Sequence, residues 1–199
     1  MQPTIIGITG QPGAGKDTLA QLLSKYLTAK GLKCAIVPPG DLVRAYVEEH
    51  HLGNPGDRSV DKHAAEAVRQ EKGSNYWIEA AIAKAGEGVD LLLYPGMRHA
   101  TEVGVVRIHN GVVITVDAPQ KVRFERVLAR KRAGDATDFE TFAAQEQAER
   151  NSPSHQVDKV IEMSDTVIEN AGTLHQFEEC AKALATDYPE NLRRFYTGE

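Results

Sequence analysis

Short apolar runs alternate along the chain with longer stretches in which apolar residues recur at helical spacing. The first run, Thr4–Thr9, is rich in β-branched residues, which is typical of a buried strand. From residue 16 to residue 30 the apolar positions recur every three or four residues, and Gly31 follows where a helix is expected to end. Further apolar runs predict four more strands, at residues 34–37, 91–94, 112–116 and 166–168.

Strands that alternate with helices favour right-handed crossovers and a mostly parallel sheet with helices on both faces. We therefore expect a three-layer α/β fold with a five-stranded parallel sheet. The chain has 199 residues, of which 41% are hydrophobic, and it has no repeat or linker pattern. This length and composition predict a single domain over residues 1–199.

Two segments depart from the simple alternation of strands and helices. Residues 41–84 are longer than an ordinary crossover and contain a polar, glycine-bearing stretch at 52–58, so they predict a helical flap over the sheet edge. Residues 126–138 begin rich in arginine and end like a loop. Because binding residues are concentrated on such connections, both segments are candidates for contact with a substrate.

Charge and composition exclude several classes of function. The net charge is −5, so no overall basic field exists to hold a nucleic-acid backbone. No apolar run approaches the roughly 20 residues of a membrane span, and no leader pattern is found at the N-terminus. The two cysteines, Cys34 and Cys180, have neither disulfide nor zinc-site spacing. We expect a cytoplasmic protein that binds neither nucleic acid nor membrane, and no pattern predicts its oligomeric state.

Residues 10–18 match the phosphate-binding pattern G-x-x-x-x-G-K between a strand and a helix. Glycines let successive backbone N–H groups turn toward a phosphate, and the helix N-terminus adds partial positive charge. Lys16 is expected to reach the β and γ oxygens of a bound nucleotide. This phosphate loop predicts nucleotide contacts from Gln11, Pro12, Gly13, Ala14, Gly15, Lys16, Asp17 and Thr18.

The position after Lys16 is unusual for a Mg²⁺ site. Most phosphate-loop NTPases place Ser or Thr there, and this chain has Asp17. Thr18 offers a hydroxyl, but one helical step turns its direction by about 100°. Asp17 and Thr18 are the candidate Mg²⁺ ligands, and the helix dipole explains a first-turn Asp equally well. Asp117, at the end of the fourth strand, is a secondary candidate, although an ordinary turn before Pro119 explains it more simply.

Two classes of nucleotide-binding protein do not fit the sequence. Switch-type GTPases need N-K-x-D and D-x-x-G motifs, and neither occurs in the chain. Large motor or AAA-type ATPases are expected to have a longer chain and an apolar run that ends in paired acids. The run at 91–96 ends in Tyr-Pro-Gly, so this class is set aside.

Several motifs together resemble the nucleoside monophosphate kinase group of phosphate-loop kinases, including adenylate kinases, over nearly the whole chain. They are the 10–18 loop, Gly-Asp-Leu-x-Arg at 40–44, Arg98 after the third strand, and the pair Arg126 and Arg130. The segment 165–174, Asp-Thr-Val-Ile-Glu-Asn-Ala-Gly-Thr-Leu, is similar to the ending of dephospho-CoA kinases and of phage-type deoxynucleoside monophosphate kinases. Residues 97–177 also resemble a family of small archaeal kinase-like proteins.

The resemblance implies an ATP-dependent phosphotransferase that uses Mg²⁺ and acts on a nucleoside or deoxynucleoside monophosphate. It also implies a sheet whose first strand is central, flanked by the third and fourth strands. The flap at 41–84 would bind the acceptor, and residues 126–138 would form a short lid over ATP. By this resemblance Lys16, Arg126 and Arg130 are catalytic, Asp41, Arg44 and Arg98 bind the acceptor, and Asn170 and Gly172 border the adenine.

Simpler explanations stay open for several of these residues. Asp41 also fits the N-cap of the next helix, and Asn170 and Gly172 also fit a helix-terminal turn. Arg126 and Arg130 also fit a solvated basic face, because Arg123, Lys131 and Arg132 crowd the same helix.

The chain departs from the kinase pattern at two places, and two other functions remain open. An acid is replaced by Pro95 or Gly96 after the third strand, and a lid arginine is absent near Gln145, where Arg150 is a substitute. Dephospho-CoA kinase, with Asp41 as base, is the alternative enzyme. A nucleotide-binding regulatory protein with a degenerate metal site is the second alternative.

Overall fold

The computed structural model describes residues 2–131, 134–150, 156–186 and 188. Its centre is a five-stranded sheet in the order β2-β3-β1-β4-β5, in which all four pairings are parallel. The first strand lies between the third and fourth, as predicted. The strands are β1 (Thr4–Thr9), β2 (Cys34–Ile36), β3 (Leu91–Pro95), β4 (Val112–Asp117) and β5 (Thr166–Glu169).

Helices cover both faces of this sheet and complete the predicted three-layer fold. On one face α1 and α9 pack over Ile6 and Ile8, and on the other α4, α5 and α8 pack over Ile5 and Tyr94. Side chains alternate between the two faces because successive residues of a strand point in opposite directions. The helices are α1 (Lys16–Ala29), α2 (Pro39–Glu49), α3 (Arg58–Lys72), α4 (Tyr76–Ala85), α5 (Ala100–Ile108), α6 (Gln120–Arg130), α7 (Phe139–Arg150), α8 (Val157–Glu162) and α9 (Leu174–Thr186).

The connections that follow β1 and β3 lie side by side at the carboxyl edge of the sheet. The backbone N–H groups of Gly96 and Met97 donate to the carbonyl of Ile8, at 2.8 and 3.2 Å. The hydroxyl of Thr9 donates to the carbonyl of Met97 at 3.0 Å. In parallel α/β sheets ligands bind outside this edge, where neighbouring connections diverge. The 10–18 loop and Arg98 are therefore held in one region.

The segment 41–84 forms most of three helices, α2, α3 and α4, which share a small core around Trp77. Trp77 is buried, and its indole N–H donates to the carbonyl of Ala65 at 3.2 Å. Helix α2 begins at Pro39 with Pro38 as its N-cap, because a proline in the first turn has no N–H to satisfy. Asp41 lies in the first turn of this helix, so the N-cap interpretation of Asp41 is wrong.

The segment 126–138 contains the last turn of α6 and most of the connection to α7. Val127, Ala136 and Phe142 form a small core between these two helices. Residues 132 and 133 of the predicted lid, including Arg132, lie outside the described residues. Across the described ranges, no helix is both long enough and apolar enough to cross a membrane.

Candidate functional site

The phosphate loop needs glycine for its backbone shape and for the neighbours that surround it. Gly13 and Gly15 have φ values of 79° and 108°, a region that residues with side chains rarely adopt. A Cβ at Gly13 would lie 2.4 Å from the carbonyl oxygen of Arg123, and one at Gly15 would lie 2.4 Å from Nδ2 of Asn170. The loop is therefore packed tightly against α6 and the end of β5.

Lys16 closes the loop from inside. Its Nζ donates to the carbonyls of Gly10 and Gln11 at 2.9 and 3.0 Å. Removal of this ammonium group from water and the positive charge of Arg98 lower the pKa of Lys16 to about 7. Arg130 lowers the pKa further, while Asp17 opposes the shift. A cationic site with a perturbed lysine favours a bound polyanion.

Arg126 and Asn170 meet behind the loop. Nδ2 of Asn170 donates to the carbonyl of Ala14 at 2.7 Å, and Nη1 of Arg126 reaches the same carbonyl at 3.4 Å. Nη2 of Arg126 also donates to the backbone carbonyl of Asn170 at 2.9 Å. The structure thus brings two predicted nucleotide-binding residues to the loop, where both support its backbone. Their contacts with ATP and adenine stay predictions.

The solvated basic face that stayed open for α6 does not include Arg123. This residue is only 4% exposed and forms an ion pair with Glu146 of α7, which is equally buried. Its Nε donates to the carbonyl of Ala118 at 2.8 Å, and its Nη1 reaches the carbonyl of Pro12 at 3.3 Å. The helical spacing of Arg123, Arg126 and Arg130 was the signal that could have placed all three toward the loop.

The second lid arginine, Arg130, is held by an acid of the lid itself. Its Nε and Nη2 donate to the two oxygens of Asp135 at 2.6 and 2.7 Å. Such a two-pronged contact fixes the guanidinium plane. The effect of Arg130 on the pKa of Lys16 places its charge within electrostatic reach of the loop.

The predicted acceptor residues lie on two elements that adjoin each other. Arg44, in α2, forms ion pairs with Asp41 and, at 4.0 Å, with Asp61. A Cβ at Gly96 would lie 3.6 Å from Cγ of Pro39, so the start of α2 lies against the end of β3. Arg98 follows this end of β3, and its charge acts on Lys16.

A buried carboxylate that the sequence did not single out as functional holds the backbone at Arg98. Glu102 is 1% exposed and accepts hydrogen bonds from the backbone N–H groups of Arg98 and His99, at 3.2 and 3.1 Å. It also accepts the hydroxyl of Tyr94 at 3.1 Å. Nη2 of Arg69, from α3, lies 3.9 Å from the same side chain. Glu102 therefore connects the flap to the strand end that carries Arg98.

Arg58 joins the flap to α7 near Gln145, where the kinase pattern has a lid arginine that this chain lacks. Its Nη1 donates to Oε1 of Gln145 at 3.1 Å, and its Nη2 forms an ion pair with Glu149. Arg150, the substitute considered from the sequence, has its Nε 3.9 Å from Asp158. The cation beside Gln145 thus comes from the flap rather than from the lid.

The two candidate Mg²⁺ ligands lie at the start of α1. Asp17 is exposed and makes no hydrogen bond or ion pair with the described residues, and Thr18 is half-buried. Within the described ranges no group of three or more His, Cys, Asp or Glu residues could hold a metal alone. Mg²⁺ at phosphates keeps several waters and needs one or two carboxylates, so the carboxylate of Asp17 fits this role.

Two further residues occupy ordinary structural positions. Oδ1 of Asp117 accepts the N–H of Ala118 at 2.9 Å, as expected for a strand-ending turn. Gly172 lies in the turn before α9, where Thr173 and Gln176 cap the helix through reciprocal hydrogen bonds. Contact of Gly172 with adenine stays a prediction.

Comparison with known proteins places this geometry in a family. A family model described as an AAA domain matches residues 6–150, more than half of the chain. A UPF0200 protein from Methanococcus maripaludis is 30% identical over 181 residues, which cover 87% of this chain and 91% of that protein. The chain belongs to the AAA domain and UPF0200 families. The match spans the loop, the flap and α6. Setting aside every AAA-type protein was therefore wrong, whereas the exclusion of large motor ATPases stays a prediction.

Solved structures of small-molecule kinases share the fold of this UPF0200 chain. The APS kinase of Mycobacterium tuberculosis, in complex with AMPPNP and APS, is 20% identical with a TM-score of 0.54, and the alignment covers 93% of this chain and 96% of that one. A shikimate kinase from Bacteroides thetaiotaomicron is 15% identical with a TM-score of 0.53, covering 92% and 97%. At these identities the likeness establishes a phosphate-loop kinase-like fold.

Proposed function

We propose that this UPF0200 chain is an ATP-dependent phosphotransferase that acts on a nucleoside or deoxynucleoside monophosphate. The observation that carries the proposal is the charge around Lys16. The connection after β1, which leads to Lys16, is hydrogen-bonded to the connection after β3, which carries Arg98. The charges of Arg98 and Arg130 both lower the pKa of Lys16. Three cations converge where a parallel sheet presents its phosphate loop, as the transfer of a phosphoryl group between two polyanions requires.

Catalysis in this site is positioning together with neutralisation of charge. The loop N–H groups and Lys16 bind the β and γ phosphates of ATP, and Arg130 approaches from the lid side. Bound Mg²⁺ would offset further phosphate charge, and Asp17, with the hydroxyl of Thr18, is the group that would hold it. Lys16 exchanges its two carbonyl partners within the loop for phosphate oxygens.

The acceptor site lies between the start of α2 and the end of β3. Arg98 follows β3, next to the connection that leads from β1 to Lys16, so a phosphate bound by Arg98 would lie near the γ phosphate. Arg44 enters from α2 and exchanges Asp41 and Asp61 for the acceptor phosphate. Arginine suits this role because its planar donors pair with two phosphate oxygens at once.

Specific observations bear on the two alternatives. In a dephospho-CoA kinase Asp41 would take a proton from a ribose hydroxyl, yet its carboxylate is engaged by Arg44. The regulatory alternative is favoured by the carboxylate partners of Arg44 and Arg130, which occupy both arginines. We place the monophosphate kinase first because Arg44 and Arg98 lie on adjoining elements, where two arginines can bind the phosphate of one acceptor.

An ADP-release assay separates the three functions. The protein is incubated with ATP and Mg²⁺ and with each nucleoside monophosphate, each deoxynucleoside monophosphate or dephospho-CoA. We expect release above background with one or more monophosphates, and loss of this release in Lys16→Ala, which should stay folded. Release with dephospho-CoA alone supports the alternative enzyme.

A thermal-shift measurement identifies the regulatory alternative. A ligand at 100 times its dissociation constant stabilises a protein by about 2.7 kcal/mol. Stabilisation by AMPPNP without turnover on any acceptor would support the regulatory protein. The absence of both turnover and stabilisation would contradict all three functions.

A further inference from the structure

The buried ion pair between Arg123 and Glu146 lies directly behind the phosphate loop. Arg123 has three acceptors at once, namely the carbonyl of Ala118, the carbonyl of Pro12 and the carboxylate of Glu146. The second oxygen of Glu146 accepts Nε2 of Gln120 at 2.7 Å, so the carboxylate is also fixed. Both members of the pair are 4% exposed.

The geometry of a phosphate loop explains why such a partner is needed. When backbone N–H groups turn inward toward a phosphate, the carbonyls of the same peptide units turn outward, and each needs a donor. The carbonyls of Gly10 and Gln11 accept from Lys16 on the inside of the loop, whereas that of Ala14 accepts from Asn170 and Arg126. The carbonyl of Pro12, between them, has Arg123.

A role in stability alone does not account for this pair. Replacement of a buried ion pair by apolar side chains of similar volume is often neutral or stabilising, so the pair adds little to folding in itself. The backbone of Arg123 also lies against the loop. Its carbonyl oxygen is so close to Gly13 that it leaves no room for a Cβ there. Arg123 thus meets two successive residues of the loop, one with its side chain and one with its backbone.

We propose that Arg123, fixed by Glu146, is a positioning residue that sets the curvature of the phosphate loop for a bound nucleotide. This inference rests on the nucleotide binding in the proposed function but does not need phosphoryl transfer. It assigns α7 a part in nucleotide affinity, although α7 contributes no residue to the loop itself.

The test compares AMPPNP affinity with folding stability in matched variants. The double variant Arg123→Met/Glu146→Met keeps the volume and leaves no buried charge unpaired, so the protein should stay folded, with a melting temperature lowered by the loss of a donor to the carbonyls of Ala118 and Pro12. Arg123→Lys keeps the charge opposite Glu146, but its single nitrogen cannot occupy both positions from which Nε and Nη1 of Arg123 reach the three acceptors. Arg107→Met is the control, because it breaks the ion pair with Asp165 away from the loop.

We expect both Arg123 variants to bind AMPPNP at least about tenfold more weakly, the lower bound for loss of a charge-assisted hydrogen bond. The Arg107→Met control should lower the melting temperature and leave the dissociation constant unchanged. Wild-type affinity in the double variant would overturn the inference. If the double variant does not fold, wild-type affinity in Arg123→Lys overturns it instead. Failure of the wild type to bind AMPPNP would overturn the proposed function and the inference together.

Discussion

Nucleotide binding is expected to weaken as the pH rises above 7, because Lys16 loses its proton in the free protein. Burial of the ammonium group and the charges of Arg98 and Arg130 lower the pKa of Lys16 to about 7 from an ordinary value of 10.5. A bound diphosphate brings negative charge to Nζ and raises this pKa. Binding above pH 7 therefore takes up a proton, and the affinity falls as protons become scarce.

The magnitude follows from the fraction of free protein in which Lys16 is protonated. This fraction is about one tenth at pH 8 and about one hundredth at pH 9 for a pKa near 7. If Lys16 stays protonated in the complex, the dissociation constant of ADP rises about ninefold from pH 8 to pH 9, or about 1.3 kcal/mol. Below pH 6 Lys16 contributes almost no pH dependence.

Calorimetric titration with ADP between pH 8 and pH 9 measures this change. In this range phosphate groups are fully ionised, since their second pKa is about 6, so the ligand does not titrate. Buffers of different ionisation enthalpy report the number of protons taken up. In the Lys16→Arg control the guanidinium stays charged and the dissociation constant should be flat. A flat profile for the wild type, without proton uptake, would refute the reasoning.

Unfolding at high pH would also reduce binding. The deprotonation of Lys16, however, raises the free energy of unfolding instead of lowering it. The pKa of Lys16 is lower in the folded protein than in the unfolded chain, so between about pH 7 and 10.5 the unfolded chain holds more protons. The contribution of Lys16 to the free energy of unfolding therefore rises with pH across this window. Urea unfolding of the wild type and of Lys16→Met checks this difference.

Three further predictions concern the arginines and the metal. Arg98→Ala and Arg44→Ala should raise KM for a monophosphate about 10-fold to 150-fold and change KM for ATP little, whereas equal increases in steady-state kinetics would speak against an acceptor site. Asp135→Asn weakens the hold on Arg130 and should lower the dissociation constant of AMPPNP, so an unchanged calorimetric value contradicts a phosphate contact by Arg130. Asp17→Ala should raise the Mg²⁺ concentration for half-maximal ADP release, and no shift would exclude Asp17 from the metal site.

The sheet could be predicted from the sequence because its signals are local. Each strand is a short apolar run, and β1, the central strand, was predicted with the bounds that the structure shows. The N-cap of α2 lies three residues before Asp41, since Pro38 and Pro39 set the start of the helix. The division of the flap into three helices depends on packing around Trp77, which periodicity alone does not reveal.

The site could be predicted only as far as one motif determines its own backbone. The 10–18 loop has the glycine conformations and the Lys16 geometry that its motif requires. Partners across the fold carry no such local signal. Arg126 lies 44 residues from Asn170, and Arg58 lies 91 residues from Glu149, so neither contact follows from spacing.

The three arginines of α6 show how one helical stripe acquires different roles from its partners. At spacings of three and four residues Arg123, Arg126 and Arg130 lie on one side of the helix, although only Arg126 and Arg130 were predicted to be functional. The structure buries Arg123 against Glu146, half-buries Arg126 against loop carbonyls and leaves Arg130 exposed beside Asp135. Mobility should increase in the same order, because burial and fixed partners restrict a side chain. Arg123 then fixes the loop, and Arg130 remains able to turn toward a phosphate.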